Sequence, residues 1–248
     1  MRLAKFLAGA GIVSRRKAEE MISQGRVRVN GKIVTLQGTT INPDYDIVEL
    51  DDQVLETERK AYILLYKPAG YICSLVDPQG RPTVADLLRG LEIRVYPVGR
   101  LDYDTSGLLL MTNDGDFANL MTHPRYGIKK KYRAELRGRI SRKAILQLRQ
   151  GVLLEDGLTA PASVKLIKSD AQTSQVEIEI GEGKKREIRR MCAAVGFPVN
   201  KLQRVAIGFL SLRGLKPGRY RFLTPDEVER LKAGAGINKK NQKPLSQF

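Results

Sequence analysis

The polar stretch DDQVLETERK, residues 51–60, reads as a linker between two segments whose apolar residues follow different periods. Each segment must then bury its own apolar face. This gives a small N-terminal domain over residues 1–59 and a larger one over 60–236. Beyond them lies a basic tail, residues 237–248, too polar to build a packed core and expected to be disordered.

The first segment changes both charge and period along its length. Residues 1–32 carry Arg2, Lys5, Arg15, Arg16, Lys17, Arg26, Arg28 and Lys32 against Glu19 and Glu20, whereas 33–59 carry seven acids against Arg59 alone. Leu3, Phe6 and Leu7 recur at helical spacing. Ser14 is placed to cap a second helix containing Ala18, Met21 and Ile22, which Gly25 ends. Val27 and Val29 then alternate with Arg26 and Arg28, and Asn30-Gly31 supplies a hairpin turn before Ile33 and Val34. The expectation is two helices followed by strands.

The larger segment opens with YILLYKPAGYICS. Strand-like runs at 62–66, 108–111, 132–136 and 176–180 are interleaved with short helical ones, which predicts an α+β domain with a mixed, mainly antiparallel sheet flanked by helices. Thr224 and Glu227 form a capping box with Pro225 at the first helical position, starting a terminal helix that closes near Gly234.

A net charge of +16, with 43 Lys and Arg, disfavours a compact chain unless an anionic partner offsets it, and nucleic acid is the leading candidate. No stretch approaches the roughly 18 apolar residues of a membrane-spanning helix, and the first twenty residues charge too quickly for a signal peptide, so a cytoplasmic protein is expected. Cys73 and Cys192 lack the paired spacing of a zinc site and read as buried thiols. His123, before Pro124 at a helix end, is the single histidine, which disfavours a Ser/His/Asp triad and a multi-histidine metal centre. With no coiled coil or self-complementary patch, a monomer is expected.

Against this basic background, GRLDYDTSGLLLMTNDG at 99–115 puts Asp102 and Asp104 beside Arg100 at the mouth of an apolar run. One reading is a turn, because Asp, Thr, Ser and Gly satisfy backbone groups in loops. Another is a hard-cation site, since carboxylates two apart on an extended chain share a face. A third has one carboxylate held ionised by a cation, with an aromatic ring to receive a base. For that, the chain offers the arginines of GEGKKREIRRM and the ring of Tyr132.

Residues 2–34 resemble the S4 RNA-binding domain over nearly its whole length. The blocks YKPAGYICS, GRLDYDTSGLLLMTNDGD, HPRYGIKKKYRAEL and GEGKKREIRRMCAAVG resemble, in the same order, the pseudouridine synthases that modify ribosomal RNA, in the branch with an N-terminal S4 domain. The resemblance implies an enzyme that isomerises a specific uridine and needs no cofactor or metal. Its partner would be ribosomal RNA or a pre-ribosomal particle. The REIRRM form leans toward members acting on large-subunit (23S) rRNA.

The same resemblance assigns residues. Asp102 is the catalytic aspartate, and Asp104 sits where the family varies. Because a flipped base excludes water and so favours protonation, a paired cation must keep Asp102 charged; the family pattern gives that role to Arg189, whose guanidinium stays ionised when desolvated. Tyr132 is the active-site tyrosine, unless its ring belongs to the core. Ile188 forms an apolar wall, Arg100 fills or holds open the gap left by an extruded nucleotide, and Lys67 shapes the site. Arg2, Lys5, Arg15, Arg16, Lys17, Arg26 and Arg28 would anchor RNA through the S4-like domain, although a solvated helix face also accounts for 15–17. Lys129, Lys130, Lys131, Lys184, Lys185 and Arg186 would line the path to Asp102. The rival reading is a noncatalytic S4-domain RNA-binding or ribosome assembly factor.

Overall fold

The computed structural model describes residues 1–235; the tail expected at 237–248 lies outside them. The chain divides into two compact units, one of residues 1–61 with 91–95, the other of 62–90 with 96 onward. Among the described residues no helix is long and apolar enough to cross a membrane.

In the first unit, α1 (Leu3–Gly9) and α2 (Arg15–Ser23) precede a sheet of β1 (Val27–Val29), β2 (Lys32–Val34), β3 (Val48–Leu50) and β4 (Gln53–Val54), in the order β2-β1-β3-β4. Ser14 caps α2 by accepting the Lys17 N–H. Leu3, Leu7, Ala18 and Ile22 from the helices meet Val27, Val48 and Leu50 from one sheet face in a single core. The stretch 51–60 is more ordered than a linker. Asp51 and Asp52, both at positive φ, make a two-residue turn that brings Gln53 and Val54 back against Leu50 and Glu49. Aspartate tolerates the left-handed region that a tight hairpin needs, so the acidic pair is a turn signal as much as a charge.

The second unit is built on a nine-stranded sheet. Its strands are β5 (Tyr62–Lys67), β6 (Tyr96–Val98), β7 (Thr105–Thr112), β8 (Lys130–Arg137), β11 (Ser163–Ser169), β12 (Thr173–Ile180), β13 (Val199–Ile207), β14 (Leu210–Ser211) and β15 (Tyr220–Phe222); β9 (Leu153–Leu154) and β10 (Gly157–Leu158) form a separate hairpin. The main path runs β11-β12-β8-β13-β7-β5-β15, with β14 on β13 and β6 on β7. Every pairing is antiparallel except β13 with β7, so the architecture is the expected mixed, mainly antiparallel α+β sheet. Two cores meet along it. Ala144 and Leu148 of α4 (Arg142–Gln150) and Ile188, Met191 and Cys192 of α5 (Glu187–Ala194) pack with β8, β11, β12 and β13. Phe117 and Met121 of α3 (Gly115–Thr122) and Val228 and Leu231 of α6 (Pro225–Gly234) pack with β5, β7 and the end of β13. The Thr224–Glu227 capping box that opens α6 is formed as the sequence indicates.

The parallel junction requires glycine. Gly107 lies opposite Arg204 at φ +121°, and a Cβ there would sit 2.3 Å from the Arg204 carbonyl oxygen.

Candidate active site

A cleft of about 340 Å³ opens within the second unit, near that parallel junction. Asp102 enters it from the turn before β7, Lys130 and Tyr132 from β8, Arg186 and Ile188 from the start of α5, and Arg204 from β13. Lys130 and Tyr132 reach it together because alternate residues of a strand share a face. Lys131, between them, pairs instead with Glu179 on β12, 3.6 Å away. Of the six cations expected along the path, Lys130, Lys184, Lys185 and Arg186 line the cleft, while Lys129 and Lys131 do not.

The turn that carries Asp102 is stapled from below. Lys67, fully buried at the end of β5, donates from Nζ to the carbonyls of Thr105 (2.8 Å), Pro68 (3.0 Å) and Asp102 (3.2 Å). Burial lowers the affinity of this ammonium for its proton, partly offset by Cys73, Asp104 and Asp102 nearby. The Thr105 N–H closes the turn on the Asp102 carbonyl at 3.0 Å. Cys73 is only partly buried, and its Sγ accepts the Leu101 N–H at 3.2 Å; Cys192 is fully buried, as expected.

The charge arrangement corrects one expectation. Arg189 does not face Asp102. Its Nη2 lies 3.1 Å from both the Asp104 carboxylate and the Asp104 carbonyl, and Nη1 donates to Val199 of β13. The cation beside Asp102 is Arg186, at 3.6 Å, which also donates to both oxygens of Asp104 at 3.2 and 3.3 Å. The cause is backbone geometry: Arg189 lies inside α5 against β13, whereas Arg186 precedes the helix at φ +49°. Asp104 is therefore the anchor shared by two guanidinium groups. Desolvation opposes its ionisation, yet Arg186 and Arg189 together hold its carboxyl below the usual range. Both carboxylates of the Asp102-Tyr103-Asp104 stretch thus face guanidinium groups.

Tyr132 is half-buried, with its hydroxyl accepting from Arg204 Nη1 at 3.4 Å. Arg204 is 5% exposed and donates from Nε to the Leu108 carbonyl at 2.7 Å, tying β13 to β7 under the cleft. Ile188 is buried on the cleft wall, and Arg100 lines the mouth. Lys130 is pushed down to about 8, by burial first and then by the charge of Arg204. Arg204 is a site residue that the sequence does not single out, because VNKLQRVAI has no regular apolar alternation for a buried arginine to interrupt.

In the first unit, the strand cations are less available than expected. Arg26 makes a two-pronged pair with Asp51, and Arg28 lies 3.0 Å from Asp52, so the hairpin turn neutralises the strand it faces. Lys17 pairs with Glu20 at 2.8 Å, and Arg2 donates to the Gly38 carbonyl. Arg15 and Arg16 are exposed on the first turn of α2 with no carboxylate partner among the described residues. Lys5 is half-buried on α1.

Comparison with known proteins agrees with this layout. A family model described as RNA pseudouridylate synthase matches residues 61–194, and one described as S4 domain matches residues 1–47. The ribosomal large subunit pseudouridine synthase B of Bacillus subtilis (strain 168) is 48% identical over 240 residues, covering 96% of this chain and 98% of its own. An uncharacterized RNA pseudouridine synthase of Aquifex aeolicus (strain VF5) is 42% identical over 238 residues, covering 96% of each. A crystal structure of a pseudouridylate synthase, 33% identical, aligns over 93% of this chain and 99% of that one with a TM-score of 0.67.

Proposed function

The chain belongs to the RNA pseudouridylate synthase family and carries an S4 domain ahead of the synthase fold, and from that premise we propose that it isomerises a specific uridine of large-subunit (23S) ribosomal RNA, with Asp102 acting on a base flipped into the cleft. The B. subtilis relative, named for the large ribosomal subunit and similar over nearly the full length of both chains, supports the substrate class. The observation that carries the residue assignment is the position of Asp102, which lines the cleft with Arg186 3.6 Å away and its own carbonyl gripped by Lys67.

The reaction breaks the bond from the ribose C1′ to N1 of uracil and forms one from C1′ to C5; the C5 proton leaves and N1 gains one, so no atom is lost. Asp102, with the Arg186 guanidinium 3.6 Å away, supplies the carboxylate that promotes cleavage of the glycosidic bond. Tyr132 offers a ring to stack on the base and a hydroxyl for proton transfer, with Arg204 orienting that hydroxyl. Ile188 walls the base pocket, and Arg100 occupies the gap in the stack, where unstacking a nucleotide costs a few kcal/mol. Arg189 serves the same carboxylate indirectly, by holding the Asp104 carbonyl and the Thr105 hydroxyl. Lys130, Lys184 and Lys185 line the approach, while residues 1–59, through Arg15 and Arg16 above all, hold the RNA by its phosphates.

Mapping pseudouridine in rRNA from cells with and without this chain tests the proposal. We expect loss of modification at one position of the large-subunit RNA in its absence; unchanged maps of both subunits would contradict it.

A further inference from the structure

The first residue of α5, where the loop from β12 ends, is a buried acid that the reaction does not use. Glu187 is 4% exposed. Its Oε2 accepts the Lys184 N–H at 3.0 Å, while the Glu187 N–H returns to the Lys184 carbonyl at 3.2 Å, so the side chain and backbone of one residue clasp the same turn. Its other oxygen, Oε1, is buried and has no donor among the described residues. The Glu187 carboxyl interacts with the side chain of Glu182, from the other end of the loop. Glu182 in turn accepts the Ala160 N–H and has Lys184 Nζ 4.0 Å away. Two carboxyl groups in contact, that of Glu187 buried and that of Glu182 only 21% exposed, cannot both be ionised without strong repulsion; one proton shared between them removes the conflict and supplies the missing donor.

We propose that Glu187 is a positioning residue that keeps its proton at neutral pH and donates it to Glu182, and that this carboxyl–carboxylate hydrogen bond closes the loop presenting Lys184, Lys185 and Arg186 to the cleft. Arg186, held at φ +49° immediately before Glu187, is the cation beside the Asp102 carboxylate, so the clasp acts on that carboxylate through one residue. The charged groups around the pair come from several elements: Lys130 from β8, Lys184 from the loop itself, Asp156 from the β9–β10 hairpin and Arg190 from α5. Arg190 is spent on Asp156, with hydrogen bonds of 2.8 and 2.9 Å. Burial, reinforced by Glu182, pushes the Glu187 carboxyl up to about 8, well above the usual carboxylate range. Its folded-state proton affinity is thus raised. The stabilisation it gives is complete below the unfolded value and is lost as pH rises through about 8.

The inference rests on the synthase reading for its kinetic consequence but not for the proton itself, and two measurements separate them. Infrared difference spectra of wild type against Glu187→Gln should show a protonated-carboxyl carbonyl band at neutral pH that vanishes as pH passes about 8. In single-turnover kinetics, Glu187→Ala should lower kcat/KM about tenfold, whereas Glu187→Gln, whose amide can still donate to Glu182 and accept from Lys184, should recover most of that loss and flatten the alkaline decline. Lys130 also loses its charge near pH 8, so an alkaline decline that persists unchanged in Glu187→Gln would overturn the proposal. Absence of the carboxyl band at neutral pH would overturn it equally. A band that behaves as expected in a protein without isomerase activity would leave the shared proton standing and remove the synthase reading.

Discussion

Arg186 and Arg189 lie three residues apart and share one carboxylate, yet their surroundings give them different work. The Arg189 side chain is 10% exposed and hydrogen-bonded to the backbone of β13 and of the turn before β7, whereas that of Arg186 is 43% exposed. Removing a buried, backbone-bonded guanidinium leaves its partners unmet, so Arg189→Ala should lower unfolding stability by ~2 kcal/mol or more. Arg186→Ala, losing a largely solvent-screened pair, should change stability by less than ~1 kcal/mol while reducing kcat/KM. Denaturant titration beside single-turnover rates distinguishes the two; equal stability losses would contradict this division of roles. At this scale Asp102 and Tyr132 were legible because motif order alone locates them. Which arginine meets Asp102 was not, since the choice depends on Arg186 adopting a left-handed backbone that no residue pattern announces. The pairing of Arg26 and Arg28 with Asp51 and Asp52 was hidden for a related reason: a charge count records the ions but not the hairpin that folds one run over the other.

Among elements, β13 was the hardest to read and matters most to the site. It lies between β8 and β7, supplies Arg204, and forms the parallel pairing near the cleft. Its sequence, VNKLQRVAI, lacks clean alternation because the strand is interrupted by irregular register at two places and carries a buried arginine where an apolar residue would signal a core face. The strands at 62–66, 108–111, 132–136 and 176–180 were legible, and each extends by one to several residues in the structure, since polar ends join the ladder without adding apolar signal. The β7–β13 contact also makes a sharp demand on residue type. Gly107→Ala would combine a strained φ with a Cβ 2.3 Å from a backbone oxygen, and backbone cannot move aside as a side chain end can. We expect a loss of ~4 kcal/mol or more, or failure to accumulate as folded protein. A Gly107→Ala protein with wild-type melting temperature would contradict the tight approach.

For the whole molecule, the charge of +16 and the division into an S4 unit and a synthase unit fit the proposal that one unit holds the RNA and the other changes it. Phosphate contacts release counterions, so RNA affinity should fall steeply and linearly on a log–log salt plot. Arg15→Glu with Arg16→Glu should weaken binding and make that slope shallower by ~1.5, on the basis of roughly 0.7–0.9 per phosphate contact. It should raise KM more than it lowers kcat, and an unchanged slope would place the RNA elsewhere. Composition made the partner class legible, and motif order the family; the cleft itself was not, because it is assembled from side chains as far apart in the chain as Val98 and Ile207. Asp102 carries the proposed chemistry, its carboxylate lining the cleft 3.6 Å from the Arg186 guanidinium and its carbonyl held by Lys67. Release of tritium from RNA labelled at C5 of uridine, measured for wild type and Asp102→Asn beside their RNA affinities, tests it most directly. The expected result is release abolished in the variant with affinity within about twofold of wild type; release at the wild-type rate from Asp102→Asn would contradict it.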